Sequence, residues 1–380
     1  MDASVNRIPS SRDERAYLLS IQLPDTTTDS AEYSLNELAM LVKTAGGVVV
    51  SRRIIKRRSY DSSYIAGSGF WDSIRDELEK QRIRMVVLDI NNLRPGQVRN
   101  IEEKVKVRVI GRTEVILDIF ACRAKSRESQ LQVELAKLNY ILPRLKGYGT
   151  VLSRLGGGIG TRGPGEKMLE KDRRHIQRRV NVLKKELEKI RSHRERTRKS
   201  RHDSITCAVV GYTNAGKSTL VNTLARDDLF VENRLFATLE AYTRTVYLGE
   251  GKNLLMTDTV GFIRNLPAHL VASFRSTLEE IRHADFILHV VDCNSDDISG
   301  HIRTVEEELD MLEIERERVV LYFNKCDICP QEVQTAVQSS YPDAVIGSAL
   351  SPDGTALLRE ALGSRYDEIA SVKYPHFMHL

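Results

Sequence analysis

The stretch Gly211-Tyr212-Thr213-Asn214-Ala215-Gly216-Lys217-Ser218 follows the apolar run ITCAVV and leads straight into KSTLVNTLA. It has the form G-x-x-x-x-G-K-[ST], placed between a β-type segment and a helix-type segment. In that context the pattern is a phosphate-binding loop and demands a parallel α/β sheet. The glycines let backbone N–H groups converge on an anion, and the helix that begins at Lys217 adds the positive end of its dipole. Lys217 supplies a cation for the outer phosphates, and the Ser218 hydroxyl suits Mg²⁺.

The rest of the second half continues the same alternation. Apolar runs at 205–211, 245–249, 253–259, 285–292, 318–325 and 343–349 are separated by helix-like stretches, which predicts a doubly wound sheet over 203–371. Three further motifs fall at strand ends. Asp258-Thr259-Val260-Gly261 places a carboxylate for the water shell of Mg²⁺ and, at Gly261, an N–H for a γ-phosphate. Asn324-Lys325-Cys326-Asp327 places a carboxylate that can accept hydrogen bonds from the guanine N1–H and exocyclic amine. Adenine lacks those donors, so unpaired-group penalties favour GTP over ATP. Ser348-Ala349-Leu350 brings backbone N–H groups within reach of a guanine O6. Between the first helix and the second strand, Phe236-Ala237-Thr238-Leu239-Glu240 reads as a first switch segment. Thr238 is the preferred second hydroxyl for Mg²⁺ and Thr243 the competing choice. The expected ligands are therefore GTP or GDP and Mg²⁺, with Lys217, Ser218, Thr238 and Gly261 closest to the chemistry. An ATPase or small-molecule kinase would leave 324–327 unexplained.

Charge separates the two halves. Residues 1–200 carry 41 Lys and Arg against 25 Asp and Glu, whereas residues 201–380 carry 16 against 27. A basic half joined to an acidic one points to a polyanionic partner, most simply nucleic acid. Runs at 16–23, 47–51, 84–90 and 107–111 alternate with helical stretches at 34–45, 70–81 and 95–105, which predicts a small α/β domain over 1–125. Leu131, Leu135, Leu138 and Leu142 mark one helix. Leu169, Ile176, Leu183, Leu187 and Ile190 form the seam of a longer one over 166–198. Joined by a glycine-rich segment, they predict an antiparallel helical hairpin over 126–202, with 191–203 as a polar linker and 372–380 as a tail.

Gly158-Ile159-Gly160-Thr161-Arg162-Gly163 reads literally as G-x-G-x-x-G, but it lies between two helices and so fails the strand–turn–helix test for a dinucleotide loop. It reads either as a hairpin tip or as a probe for RNA, with Arg154 and Arg162 bringing charge. Arg173 and Arg174, on the following helix, could track phosphates or be ordinary exposed helix charge, and the two readings stand even. Trp71 and Tyr60, beside Arg52, Arg53 and 56–58, are candidates for stacking on bases, and a solvated basic loop beside a core tryptophan is the equal alternative. The nine histidines show no metal-ligand spacing, and the lone C-x-x-C at 326–329 lacks the second pair of a zinc site. No apolar run is long enough to span a bilayer, and the first residues have no signal-peptide character. A cytoplasmic location is expected, in part at a membrane surface, with five cysteines that form no disulfide framework.

Taken together, these residues resemble the HflX family of translational GTPases, within the TRAFAC class. The resemblance rests on the phosphate loop, 236–240, Asp258 to Arg264, 131–136, 143–145, 157–166 and 169–174, and runs from about residue 15 to about residue 365. It implies a Ras-like GTPase domain behind the α/β domain and the hairpin. It also implies GTP hydrolysis, binding of the large ribosomal subunit and its rRNA by a monomer, and the splitting or rescue of ribosomes under stress. An rRNA-binding assembly factor in which hydrolysis only resets binding is the alternative. It further implies that the glycine-rich tip, with Arg154, Gly158, Gly160, Arg162 and Gly163, meets RNA. The chain departs from the family at Phe70, where a Lys is usual, at Gly111, where an Asp is usual, and in a C-terminal region shorter than that of many members. Phe262 stands where Ras-type switches have a water-orienting glutamine. It reads either as a core residue or as the mark of a site that waits for its partner to complete it, and the second reading is preferred.

Overall fold

The computed structural model describes residues 14–152, 164–199, 204–226, 235–264, 266–267 and 275–374. They divide into two compact units, one comprising residues 1–188 with 267–273 and the other residues 189–266 with 274–380. The division falls inside the helix Pro164–Lys199.

In the first unit, strands β1 (Arg15–Gln22), β2 (Val48–Lys56), β3 (Met85–Leu88) and β4 (Arg108–Gly111) form a parallel sheet in the order β2-β1-β3-β4. Helices α1 (Thr28–Thr44), α2 (Ser68–Lys80), α3 (Pro95–Val105) and α4 (Arg112–Arg123) connect and cover it. Thr27 caps α1 by accepting from Ser30 N, and Pro95 opens α3 at the position where a missing N–H costs nothing. β1 is buried along nearly its whole length, as parallel central strands are. The α4 helix does not announce itself in the sequence. Val115, Ile116, Leu117, Ile119 and Phe120 are all buried, so apolar residues run round the helix and no 3.6-residue stripe shows.

Trp71 is fully buried, packs edge-on to Phe70 with ring centroids 5.2 Å apart, and donates from Nε1 to Tyr64 O at 2.7 Å. Of the two readings of Trp71, base stacking or a core residue beside a solvated basic loop, the fold takes the second: it anchors the core. Phe70 packs against the same core, so the turn where a basic residue was expected is spent on packing. Gly111 is equally constrained, since a Cβ there would come within 2.5 Å of Ile90 O. The carboxylates that meet the buried Arg112 are Glu37 and Asp89, the latter at 3.0 Å.

Helices α5 (Arg127–Leu152) and α6 (Pro164–Lys199) follow. Arg127 pairs with Glu186 at 3.0 Å, and Arg179 grips Glu134 through two bonds of 2.6 and 2.7 Å. Rising numbers on one helix meet falling numbers on the other, so the two run antiparallel, with Leu131, Leu135 and Leu183 buried. Residues 153–163, which include Arg154, Gly158, Gly160, Arg162 and Gly163, lie outside the described residues. The stretch read as a polar linker is helical as far as Lys199. Arg, Lys and Glu are strong helix formers, and Arg191 pairs with Glu279 at 3.1 Å.

The second unit holds β5 (Ile205–Gly211), β6 (Tyr242–Gly249), β7 (Lys252–Asp258), β8 (Phe286–Asp292), β9 (Val319–Asn324) and β10 (Val345–Ile346) in the order β10-β9-β8-β5-β7-β6. All pairings are parallel except that of the edge strand β6 with β7. Helices α7 (Lys217–Ala225), α8 (Arg275–His283), α9 (Ile298–Met311), α10 (Gln331–Ser340) and α11 (Pro352–Lys373) complete it. Apolar side chains on the two faces of the sheet form separate clusters, one around Val209, Leu220 and Leu358 and one around Val210, Ile287 and Val305. This is the doubly wound arrangement that the alternating runs predict.

Arg112→Ala should destabilise the first unit by about 3–5 kcal/mol, because it strands Glu37 and Asp89 as buried carboxylates. Denaturant unfolding of the purified protein checks this, and a midpoint equal to wild type would contradict it.

Candidate functional site: the nucleotide pocket

A cavity of about 350 Å³ opens at the carboxyl ends of β5, β7, β9 and β10. That is where a doubly wound sheet places its ligand. It is lined by Thr213, Asn214, Gly216, Lys217 and Ser218 from the phosphate loop, Phe236, Ala237 and Thr238 from the switch segment, and Thr259 and Gly261 after β7. Asn324, Lys325, Asp327, Ser348, Ala349 and Leu350 complete the rim. Residues as far apart as Thr213 and Leu350, 137 positions along the chain, are thus brought to one cavity. Thr219 and Ile328 also line it, and neither stands out in the sequence. Thr219 belongs to the first turn of α7, whose N–H groups face an anion in any such loop. Ile328 is an exposed apolar residue one position after Asp327.

The other expected residues stand behind the surface. Gly211 O accepts from Phe262 N at 3.1 Å, and Tyr212 Oη accepts from Arg264 N at 2.9 Å. Ala215 O accepts from Asn324 Nδ2 at 2.9 Å. Leu239 is buried with Leu235 and Phe236, so apolar anchors on both sides of Thr238 hold its hydroxyl in place. Glu240 accepts from Tyr242 Oη at 3.2 Å. Val260 is half-buried, and Cys326 N donates to Gly347 O at 3.1 Å.

Two glycines are fixed by space as well as conformation. Gly216 has φ +92°, and a Cβ there would meet Asn324 Nδ2 at 2.2 Å. At Gly261 a Cβ would meet Thr213 Cα at 2.8 Å and Lys217 Nζ at 2.9 Å. Any side chain at either position would thicken the wall of the phosphate cradle.

Lys217 is buried, and its Nζ donates to Gly211 O at 3.1 Å and Tyr212 O at 3.0 Å. Burial pushes its ammonium down to about 8, against the attraction of Asp258. Burial likewise raises the Asp258 carboxyl, against the pull of Lys217. Ser218 Oγ donates to Asp258 Oδ2 at 2.6 Å, Thr238 Oγ1 donates to the same oxygen at 3.0 Å, and the two hydroxyls lie 2.7 Å apart. Asp258 Oδ1 is buried with no hydrogen-bond partner among the described residues. Two hydroxyls and a carboxylate with an unused acceptor form an all-oxygen set that suits Mg²⁺ and its water shell. The competing Thr243 lies on β6 with its hydroxyl 3.0 Å from Thr257 Oγ1, so the geometry favours Thr238. No cluster of three or more His, Cys, Asp or Glu able to hold a metal occurs among the described residues.

On the base side, Asn324 is buried and does not face the cavity with free polar atoms. Its Nδ2 holds Ala215 O and its Oδ1 accepts from Ala349 N at 2.8 Å. The Ala349 N–H expected at a guanine O6 is thus engaged by Asn324, and Leu350 N donates to Ser348 Oγ at 3.2 Å. Lys325, in the left-handed conformation, lays its Nζ on Asn214 O at 2.9 Å and Asp292 Oδ2 at 2.6 Å. Asp327 is exposed at the rim. Phe262 forms a parallel bridge with Tyr212 and buries its ring in the cluster with Val210, Ile281 and Val305. Its side chain is a packing residue, and no water-orienting group stands at that position. Arg173 and Arg174 are exposed on α6.

His289 lies on β8, buried, with Nε2 unpartnered among the described residues. Burial, reinforced by the Lys217 charge, pushes its imidazolium down to about 3. The His301 ring stacks on Tyr212 at 3.7 Å, and burial pushes it down to about 4. Both values lie below the unfolded one, so the unfolded chain binds more protons and stability falls as pH drops below about 6.5. His289 alone should remove about 2 kcal/mol between pH 7 and pH 5. Denaturant melts at the two pH values check this, and His289→Gln should flatten the slope.

Family profiles match three consecutive parts of the chain. One described as "GTP-binding GTPase N-terminal" covers residues 32–121 and one described as "GTP-binding GTPase Middle Region" covers 123–201. A third, "50S ribosome-binding GTPase", covers 206–325. The chain is 47% identical over 330 residues to "GTPase HflX" of Alkalihalophilus pseudofirmus, covering 86% of this chain and 77% of that protein. It is 45% identical over 318 residues to "GTPase HflX" of Caldanaerobacter subterraneus, covering 83% and 73%. A crystal structure of SsGBP in complex with GDP superposes with a TM-score of 0.51 at 23% identity, covering 94% of this chain and all of that one. At that identity it speaks to the fold alone.

Proposed function

This chain belongs to the HflX family of GTPases, and from that premise we propose that it binds GTP and GDP in the cavity between Gly216, Thr238 and Asp327 and hydrolyses GTP as a ribosome-associated factor. The observation that carries the reading is the meeting of phosphate loop, hydroxyl pair and base-side carboxylate around one cavity.

The phosphates would lie over the N-terminus of α7, where the N–H groups of the loop converge. Lys217 would turn its ammonium from the Gly211 and Tyr212 carbonyls to the outer phosphates. Ser218 and Thr238 are the residues that would hold Mg²⁺, with Asp258 accepting from its water shell. When bound, Mg²⁺ neutralises charge that develops on the phosphates. Asp327 would take the guanine N1–H and amine, while Asn324 keeps the loops around it in register. Gly261 N–H and Thr238 lie on segments that a γ-phosphate can hold and hydrolysis can release.

With the Phe262 ring in the core, water is left without a side chain at that position to orient it. Intrinsic turnover should then be slow, and the partner would complete the site. We assign the partner as the large ribosomal subunit and its rRNA, met by the basic half of a monomer acting in the cytoplasm, with Arg173, Arg174 and residues 153–163 as contacts. Ribosome splitting or rescue is the preferred output. No helix among the described residues is long and apolar enough to cross a membrane.

Turnover of GTP by the purified protein should rise at least tenfold when large subunits are added. Equal rates with and without them would defeat the ribosome-completed reading. On sucrose gradients, the GTP-bound protein should move intact ribosomes to separate subunits. Binding to subunits without any splitting would favour an assembly role. Asp327→Asn should weaken GTP binding by about 1–3 kcal/mol while improving binding of XTP, whose C2 oxygen can accept from the new amide. Fluorescent-nucleotide titration reads both effects.

A further inference from the structure

Three cysteines gather beside the base loop. Cys293 follows Asp292 at the end of β8. Cys326 and Cys329 bracket the short 3₁₀ turn Cys326–Ile328 after β9. Read by letter, 326–329 is a C-x-x-C, but the second cysteine turns elsewhere. Cys329 Sγ lies 3.0 Å from Cys293 Sγ and 3.1 Å from Cys293 O. Both side chains are buried among Ile302, Phe323 and Val337. All five cysteines are thiols in this structure.

The pair is wired to the nucleotide pocket on both sides. Cys293 N donates to Asn324 O at 2.9 Å. One residue earlier, Asp292 accepts from Lys325 Nζ, which also holds Asn214 O of the phosphate loop. Cys329 comes two residues after Asp327. It is braced by Gln334, whose Nε2 donates to Cys326 O at 2.8 Å and Cys329 O at 2.9 Å. These contacts tie the loop after β9 to the end of β8.

We propose that Cys293 and Cys329 form a redox modification site, oxidised to a disulfide by a hydroperoxide, that fastens the base loop and slows release of guanine nucleotide. A disulfide has an S–S length of about 2.05 Å, so the two sulfurs need only close by about 1 Å. Cys329 is the more accessible of the two, 8% exposed against 1% for Cys293. Its thiolate sulfur attacks the terminal oxygen of the hydroperoxide. The O–O bond breaks, the alcohol leaves with a proton, and Cys329 becomes a sulfenic acid. The Cys293 sulfur then attacks that sulfur, the S–S bond forms, the S–O bond breaks, and water leaves with the Cys293 proton. Two thiols and one hydroperoxide give one disulfide, one alcohol and one water, with two electrons passing from sulfur to oxygen. Burial pushes the Cys293 thiol up to about 12, so Cys293 keeps its proton until it attacks and gives it up with the departing water.

The effect on nucleotide release rests on the base-side role proposed for Asp327, whereas the disulfide does not. The full-length protein is treated with hydrogen peroxide, excess peroxide is removed, and non-reducing peptide mapping reads the pairing. A Cys293–Cys329 cross-link that lowers the mass by two hydrogens and is reversed by dithiothreitol is expected. Cys326→Ser should still form it, and Cys329→Ser should not. A Cys326–Cys329 cross-link, or none, overturns the site. In the second arm, release of fluorescently labelled GDP is timed before and after oxidation. Release should slow several-fold and recover with dithiothreitol. An intact cross-link with unchanged release overturns the coupling. Protein that binds no labelled GDP in its reduced state would instead strike at the nucleotide reading itself.

Discussion

Asn324 holds the pocket together. From the end of the β9 strand its amide donates to Ala215 O in the phosphate loop and accepts from Ala349 N in the loop after β10. Segments 109 residues before it and 25 residues after it in the chain are drawn to one side chain. The consequences reach both ends of the cavity. Gly216 must lack a side chain because Asn324 Nδ2 occupies the space a Cβ would need. Lys325 then spans from Asn214 to Asp292, and Asp327 is left at the rim. A buried amide with both its oxygen and its nitrogen satisfied adds rigidity as well as stability, because each alternative position would strand a polar group.

A second theme is burial of ionisable groups around the phosphate end. Lys217, Asp258 and His289 are all removed from water. The neutral forms of the lysine and histidine are favoured by desolvation, while Lys217 and Asp258 lend each other charge. Such a site holds its cation at a cost that an anionic ligand relieves, so affinity for phosphate is built into the electrostatics of the fold. The first unit meets the same problem differently. There Arg112 is buried, but two carboxylates already neutralise it, and the cluster serves the fold.

Features set by neighbours in the chain could be read directly. The phosphate loop, the alternating strands of both units, the pairing of two seamed helices and the strand-end motifs of the second unit all emerged from pattern alone. Features set by packing could not. Beside basic residues Trp71 reads equally as a base-stacking or a core aromatic, and it is the fold that buries its indole and bonds it to Tyr64 O. The α4 helix is hidden because burial on every side erases its periodicity. The charged stretch after Arg191 looks like a linker, yet its residues are good helix formers and it continues as helix.

The chemistry of the site followed from local sequence, because a loop that wraps phosphate needs particular residues at particular spacings. What required the folded chain was the identity of partners across long separations. Folding chose Thr238 over Thr243 for the hydroxyl beside Ser218, since β6 pairs Thr243 with Thr257. It put the Phe262 ring into the core and set Cys329 against Cys293 instead of Cys326. Each of these depends on which strand ends meet, and strand order is a property of the sheet that no single segment encodes.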